Sequence, residues 1–160
     1  MTDNSRETPA SKEVEVGTKR LSSVATMTDT RTASCRCGLL SAKVTGEPVR
    51  VSVCHCLNCK KRSGSAFAAQ ARWPAGQVAI EGRSNSFEKV ADSGNRATFH
   101  FCPDCGSDVH YDNNGKFDGQ IAIPLGCFDD PFAFTPAFSV WEERKHAWVE
   151  ITGDGVEHFD

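Results

Sequence analysis

From Leu40 onward the chain alternates between apolar and polar residues at a period of two, the signature of half-buried β-strands. Leu40, Ala42 and Val44 alternate with Ser41, Lys43 and Thr45. After a turn at Gly46-Glu47-Pro48, Val49, Val51 and Val53 alternate with Arg50 and Ser52. Phe67, Ala69, Ala71 and Trp73 form a third apolar face, ended by Pro74 and Gly76, and Val78 and Ile80 begin a fourth run that stops at Gly82. Ala97, Phe99 and Phe101 alternate with Thr98 and His100. Val109 and Tyr111 then lead through Asn113-Asn114-Gly115 to Ile121, Ile123 and Leu125. Asn-Gly between two such runs predicts a hairpin, because both residues tolerate positive φ. The aromatic-rich stretch from Phe128 to Ile151 is broken by Pro131 and Pro136; it is expected to wrap the sheets, with at most a short helix near Glu142 to Ala147. No internal repeat and no long helical period is present, so the expected architecture is mainly β.

The first 31 residues are different. They are rich in Thr, Ser, Lys, Glu and Asp, with scattered apolar residues and no period, and such a segment cannot bury enough surface to offset its ordering entropy. We read residues 1–31 as a disordered tail and 32–160 as one domain, since 160 residues suffice for one core and not for two. The tail lacks the apolar core of a secretory signal, and Asp3, Glu7, Glu13 and Glu15 speak against a transit peptide. No apolar run approaches the roughly 18 residues of a membrane span. A cytoplasmic protein is expected, with no membrane partner. The net charge of -3 offers no general attraction to a phosphate backbone, which argues against nucleic acid as a partner. The oligomeric state stays open, a homodimer included.

Eight cysteines change the picture more than composition does. They fall as Cys35-Arg36-Cys37, Cys54-His55-Cys56 with Cys59, Cys102-Pro103-Asp104-Cys105, and Cys127 alone. A disulfide framework needs export to an oxidising compartment, whereas close grouping is what metal ligands show. Cys35 and Cys37 with Cys102 and Cys105 make two halves of a four-thiolate site, each followed by a glycine (Gly38, Gly106). Four thiolates close the coordination sphere of zinc, so this site is expected to be structural.

Cys54, Cys56 and Cys59 supply three thiols within six residues. A zinc ion with three protein ligands keeps a position for substrate or water, the mark of a catalytic site. Candidate fourth ligands are Cys127, His55, His100 and His110. Strand alternation would turn His55 away from its neighbours, and a lone histidine on a strand is more often part of the framework. Cys127 sits in an apolar setting and reads as a buried thiol. Three thiolates leave zinc with a formal charge of −1, which weakens its pull on bound water and suits it to binding and exchanging a further thiolate. The expected substrate is therefore a thiol or thioether. Lys60, Lys61 and Arg62 follow directly and are candidate substrate-binding cations, able to lower a thiol pKa or pair with carboxylates; the plain alternative is a solvated charged face.

At these residues the chain resembles the family of glutathione-dependent formaldehyde-activating enzyme and centromere protein V. The matching stretches are Cys-Arg-Cys-Gly at 35–38, Cys-His-Cys-Leu-Asn-Cys-Lys-Lys-Arg-Ser-Gly at 54–64 and Phe-Cys-Pro-Asp-Cys-Gly-Ser at 101–107, with Gly126 to Pro131, Pro136 and Trp148 behind them. The resemblance implies a β-tent fold, in which small antiparallel sheets lean together around zinc. It implies two zinc ions per chain: a structural one on Cys35, Cys37, Cys102 and Cys105 and a catalytic one on Cys54, Cys56 and Cys59. It implies carbon–sulfur lyase chemistry of the kind that joins formaldehyde to glutathione as S-hydroxymethylglutathione, on a glutathione-like thiol substrate. Cys127 departs from the family pattern, which usually has Thr or Ser there. For the proton of the hemithioacetal hydroxyl, His55, His100 and Asp129 are candidates. The rival readings are a non-catalytic zinc scaffold for a protein or nucleic-acid partner, and a thiol-based redox or metal-delivery protein.

Overall fold

In the computed structural model, residues 29–90, 94–130 and 132–160 are described, and the expected disordered tail lies outside them up to residue 28. Eleven strands and one helix follow one another along the described chain. Strand β1 (Thr30–Ser34), β2 (Leu40–Thr45) and β5 (Val78–Gly82) make a three-stranded antiparallel sheet in the order β1-β2-β5. β1 opens two residues ahead of the domain boundary expected from composition, because Thr30 and Arg31 pair with Thr45 and Val44. In β2 the alternation is realised directly: Leu40, Ala42 and Val44 are buried, while Lys43 between them is exposed. Gly82 ends β5 at φ 99°, and a Cβ there would lie 1.9 Å from the Leu39 carbonyl oxygen, so only glycine lets the strand close on β2.

The second sheet has eight strands. β3 (Arg50–Cys54), β4 (Ala68–Pro74), β6 (Asn85–Val90), β7 (Arg96–Phe101), β8 (Asp108–Asn113), β9 (Gln120–Pro124), β10 (Phe138–Val140) and β11 (Glu157–Phe159) are arranged β11-β10-β3-β4-β9-β8-β7-β6. Pairing is antiparallel except for β10, which runs parallel to both β3 and β11. That insertion brings Ser139 and Val140, more than eighty residues further along the chain, alongside Val53 and Cys54.

One face of the large sheet packs on the small one. Val51, Ala71, Trp73, Val109 and Ile123 meet Ala33, Leu40, Ala42 and Val44, with Phe128 between them. Trp73 is fully buried, donates its indole N–H to the Gly46 carbonyl at 3.0 Å, and meets Phe128 and Phe134 at ring separations of 5.7 and 5.4 Å. Truncating a side chain so placed costs about 3–5 kcal/mol. β4 is buried on both faces, so Gln70 and Arg72, which alternate with Ala71 and Trp73, are buried too. Their face is the floor of a cavity.

Three elements differ from the expectation. Helix α1 (Leu57–Ser63) begins inside the cysteine triplet, after Cys56, and carries Cys59; it buries none of its seven residues, and its one aliphatic side chain, Leu57, is exposed, so it has no amphipathic period to read. β6 is exposed at every position and is held by its register with β7, so tertiary pairing and not pattern makes it a strand. The hairpin at Asn113-Asn114-Gly115 forms between β8 and β9, but its loop spans residues 114–119 and is not a two-residue turn. Asn114 is drawn to β7, exchanging hydrogen bonds with the Arg96 backbone at 2.8 and 3.1 Å, and the loop then carries Lys116 and Phe117 to the cavity. The short helix expected near Glu142 is a single 3-10 turn, Glu142–Arg144.

Candidate metal centres

The turn after β1 and the turn between β7 and β8 bring Cys35, Cys37, Cys102 and Cys105 together, with all four sulfurs within 4.8 Å of one another. A tetrahedron with Zn–S bonds of about 2.3 Å has edges of about 3.8 Å. Cys35 and Cys37 are 3.4 Å apart at sulfur, and Cys37 and Cys102 are 3.6 Å apart. Each knuckle curls its backbone around a cysteine: Leu40 N–H donates to the Cys35 sulfur at 3.3 Å, and Gly106 N–H donates to the Cys102 carbonyl at 2.9 Å. Gly38 and Gly106 both adopt positive φ, which the curl requires. Thiols that crowd each other cannot all ionise without a cation between them. Cys105 is held down at about 5, first by the Ser107 hydroxyl, while Cys37 stands at about 12 because its sulfur contacts and burial outweigh the lowering backbone donor at Leu39.

Cys54, Cys56 and Cys59 form the second cluster, also within 4.8 Å of one another, and no other Cys, His, Asp or Glu among the described residues joins them. Three local devices converge the sulfurs. β3 delivers Cys54 at its last residue; Cys56 is the N-cap of α1, its sulfur accepting from the Cys59 N–H at 3.4 Å; Cys59 then lies on the first helical turn. Gly64, at φ 61°, closes the helix. The sulfurs divide their charge unequally: contacts with Cys54 and then Cys59 hold Cys56 at about 2, while contacts with Cys56 and Cys59 and then burial push Cys54 upward. A divalent cation is what would let all three be thiolates at once, so the donor set fits zinc at both clusters.

The triplet opens on a cavity of about 340 Å³ over the β3–β4–β8–β7 face. Its polar lining includes Arg50, Ser52, Gln70, Arg72, Tyr111 and Asn113; Phe99, Phe117 and Trp141 supply apolar walls. Trp141 holds φ 61°, alone among the described non-glycine residues, and such strain collects where a side chain must be aimed. Tyr111 accepts a hydrogen bond from Arg72 Nη2 at 3.1 Å, and burial pushes its hydroxyl to about 12.

Lys60, Lys61 and Arg62 are not among the residues lining this cavity. Lys60 donates to the Arg144 carbonyl, Lys61 is exposed, and Arg62 is half-buried against Asp108, with its guanidinium 4.8 Å from the centre of the Tyr111 ring. Burial raises the Asp108 carboxyl and the Arg62 charge restrains it, so this pair is structural. Arg50, Arg72 and Lys116 are the cations that line the cavity, while Arg62 lies within electrostatic reach of Cys59, where its charge acts to lower the thiol.

None of the histidine candidates joins a cluster. His55 is fully buried with Nε2 3.2 Å from the Ser139 hydroxyl, and burial lowers its pKa. His100 and His110 stack at 4.4 Å, where burial and then the neighbouring His100 pull His110 to about 4. Cys127 lies outside both clusters: it donates to the Asp108 carbonyl at 3.1 Å, and burial pushes its thiol to about 12, as a packed structural thiol requires. His55, His100 and Asp129 do not line the cavity either, so none of these three proton-transfer candidates is placed at it. Arg72 and Gln70 escaped sequence reading because polar residues alternating with apolar ones look the same whether they face solvent or a cavity floor. A lone Arg and Gln in a strand as apolar as Ala68–Trp73 was the available signal.

The family model described as glutathione-dependent formaldehyde-activating enzyme matches residues 30–144. The chain belongs to that family. Both cysteine clusters lie within the matched span, so the residues that could hold metal are part of the family's domain. Among solved structures, a Rhodobacter sphaeroides protein is similar at 20% identity and a TM-score of 0.47, over 62% of this chain and 88% of that one. A search of curated proteins gives no match. No helix among the described residues is long and apolar enough to cross a membrane.

Proposed function

We propose that the protein is a zinc-dependent carbon–sulfur lyase acting on a glutathione-like thiol adduct, of the kind that interconverts glutathione plus formaldehyde with S-hydroxymethylglutathione. The observation that carries this reading is the three-sulfur cluster on the edge of a cavity, with no fourth protein ligand among the described residues. Family membership supports the substrate class.

Cys35, Cys37, Cys102 and Cys105 would hold a structural zinc, and Cys54, Cys56 and Cys59 the catalytic one. Zinc bound by three thiolates supplies a centre that takes a further sulfur as thiolate, at a pH where a free thiol stays protonated. In the addition direction the substrate sulfur forms a bond to the carbonyl carbon, the C=O π pair moves to oxygen, and the proton lost by the thiol is regained by that oxygen. Tyr111 is placed to assist. Its oxygen is occupied as acceptor by Arg72, it is neutral near pH 7, and its own proton is left to donate towards a developing alkoxide in the cavity. Phe99, Phe117 and Trp141 limit water around the reacting atoms. Cleavage runs the same steps backwards.

The test is to mix protein, glutathione and formaldehyde and follow adduct formation against the spontaneous reaction. Acceleration that disappears on removal of metal is the expected result. No acceleration across several thiols and aldehydes would sink the enzymatic reading.

A further inference from the structure

The cavity face of β3 carries Arg50, Ser52 and Cys54 at alternate positions, and Arg72 of β4 sits opposite Arg50 in the strand register. Two guanidinium groups thus stand side by side on the floor that leads to the cysteine triplet. Neither has an ion pair with a described carboxylate. Arg72 is only 6% exposed, and its hydrogen bonds go to the neutral acceptors Asn113 Oδ1, at 2.9 Å, and the Tyr111 hydroxyl. The Arg50 guanidinium lies over the Phe138 ring, 3.9 Å from its centre, and that of Arg72 over Phe117 at 4.2 Å. Other arginines in the protein behave differently: Arg62 meets Asp108, Arg31 meets Asp29 and Glu47, and Arg96 meets Glu88. A buried charge is ordinarily paired, because leaving water uncompensated costs several kcal/mol. Burial and then the charge of Arg72 lower the pKa of Arg50, and Glu157 on β11, which makes no ion pair with it, offsets only part of that.

We infer that Arg50 and Arg72 form a carboxylate subsite for the thiol substrate, and that its distance from Cys54 selects substrates by length. The inference rests on the zinc–thiol reading proposed above. Guanidinium forks match carboxylates in a bidentate geometry, and stacking on Phe138 and Phe117 fixes the forks in place. Four residue steps of strand lead from Arg50 to Cys54, about 13 Å between Cα atoms at about 3.3 Å per residue. Part of that distance is covered by the arginine side chain. The carboxylate must therefore lie several bonds from the sulfur, as in a peptide thiol, and not on the adjacent carbon as in mercaptoacetate. The competing role for the pair is to offset the negative charge of a tri-thiolate metal centre.

Isothermal titration of the metal-loaded full chain with glutathione, glutathione diethyl ester and mercaptoacetate separates these roles. Glutathione is expected to bind ten- to a hundredfold more tightly than its diester, the range for charge-assisted hydrogen bonds. Arg50→Gln and Arg72→Gln should erase that preference at unchanged metal content and leave mercaptoacetate unaffected, and Arg72→Lys should restore part of it. Arg50 is the more exposed of the two and its variant is the safer to fold. Equal binding of glutathione and its diester, equal weakening of all three thiols, or loss of metal from the variants would overturn the subsite. So would inorganic phosphate binding as tightly as glutathione. S-Methylglutathione tells the two readings apart: binding equal to that of glutathione would sink sulfur ligation, while a surviving preference over the ester would still support the carboxylate subsite.

Discussion

Replacing Cys102 by Ala should destabilise the whole domain, whereas replacing Cys56 by Ser should cost mainly one metal ion. Cys102 is fully buried and shares its cluster with Cys37, 65 residues away in the chain. A cross-link closing a loop of that length removes denatured-state entropy worth about 4 kcal/mol at 25 °C, and a metal clip acts on the same entropy. With about 2–4 °C of melting temperature per kcal/mol in a domain of this size, the midpoint should fall by about 10–15 °C. Cys54, Cys56 and Cys59 close loops of only a few residues, worth about half as much by the same relation. The assay is a circular-dichroism melt of each variant beside a mass-spectrometric metal-to-protein ratio. Each variant should drop from two metal ions to one, with the larger thermal shift in Cys102→Ala. The reasoning fails if Cys102→Ala loses its metal and still melts within about 2 °C of the parent, or if Cys56→Ser is the more damaging change.

Other predictions are as direct. Tyr111→Phe should lower kcat about a hundredfold with little change in KM, the loss usual for one donor to a developing oxyanion; an unchanged kcat would leave Tyr111 only a support for Arg72. Arg62→Met should cost about 3 kcal/mol by leaving Asp108 buried and unpaired, and Arg62→Met with Asp108→Leu should recover most of it, which urea titration reads. Glu142 has a pH signature: burial alone would raise its carboxyl, but Ser139, His158 and Lys145 hold it down at about 2. A carboxyl depressed in the folded state leaves the unfolded state binding more protons, so its stabilisation is complete above the unfolded pKa near 4.5 and is lost as pH falls towards 2. The melting temperature of Glu142→Gln should lie below the parent's at pH 7 and converge with it across that acid window; a constant gap would show that the ionised carboxylate is not the cause.

Much of the site was legible because its determinants are local. The sulfurs of the triplet lie within six residues, and the knuckles announce themselves by Cys-x-Cys, Cys-x-x-Cys and a following glycine. The strands of the core were legible too, since Leu40, Ala42 and Val44 must face one way at a period of two. By contrast, Lys60, Lys61 and Arg62 drew attention through proximity in sequence, yet none of them lines the cavity; Arg62 lies behind its floor, donating to Gln70 and paired with Asp108, 46 residues on.

The amino-acid order alone thus determined the metal-ligand candidates, the strand pattern and the mainly β class, because spacing and alternation are short-range properties. Tertiary structure decided which polar residues matter. The β3–β4 register sets Arg50 beside Arg72, and the β8–β9 loop lays Phe117 over them. The parallel insertion of β10 brings Val140 and Trp141 to the cysteine triplet. Each of these contacts joins segments far apart in the chain. A strand's polar face carries no local mark of whether water or another sheet element will stand in front of it.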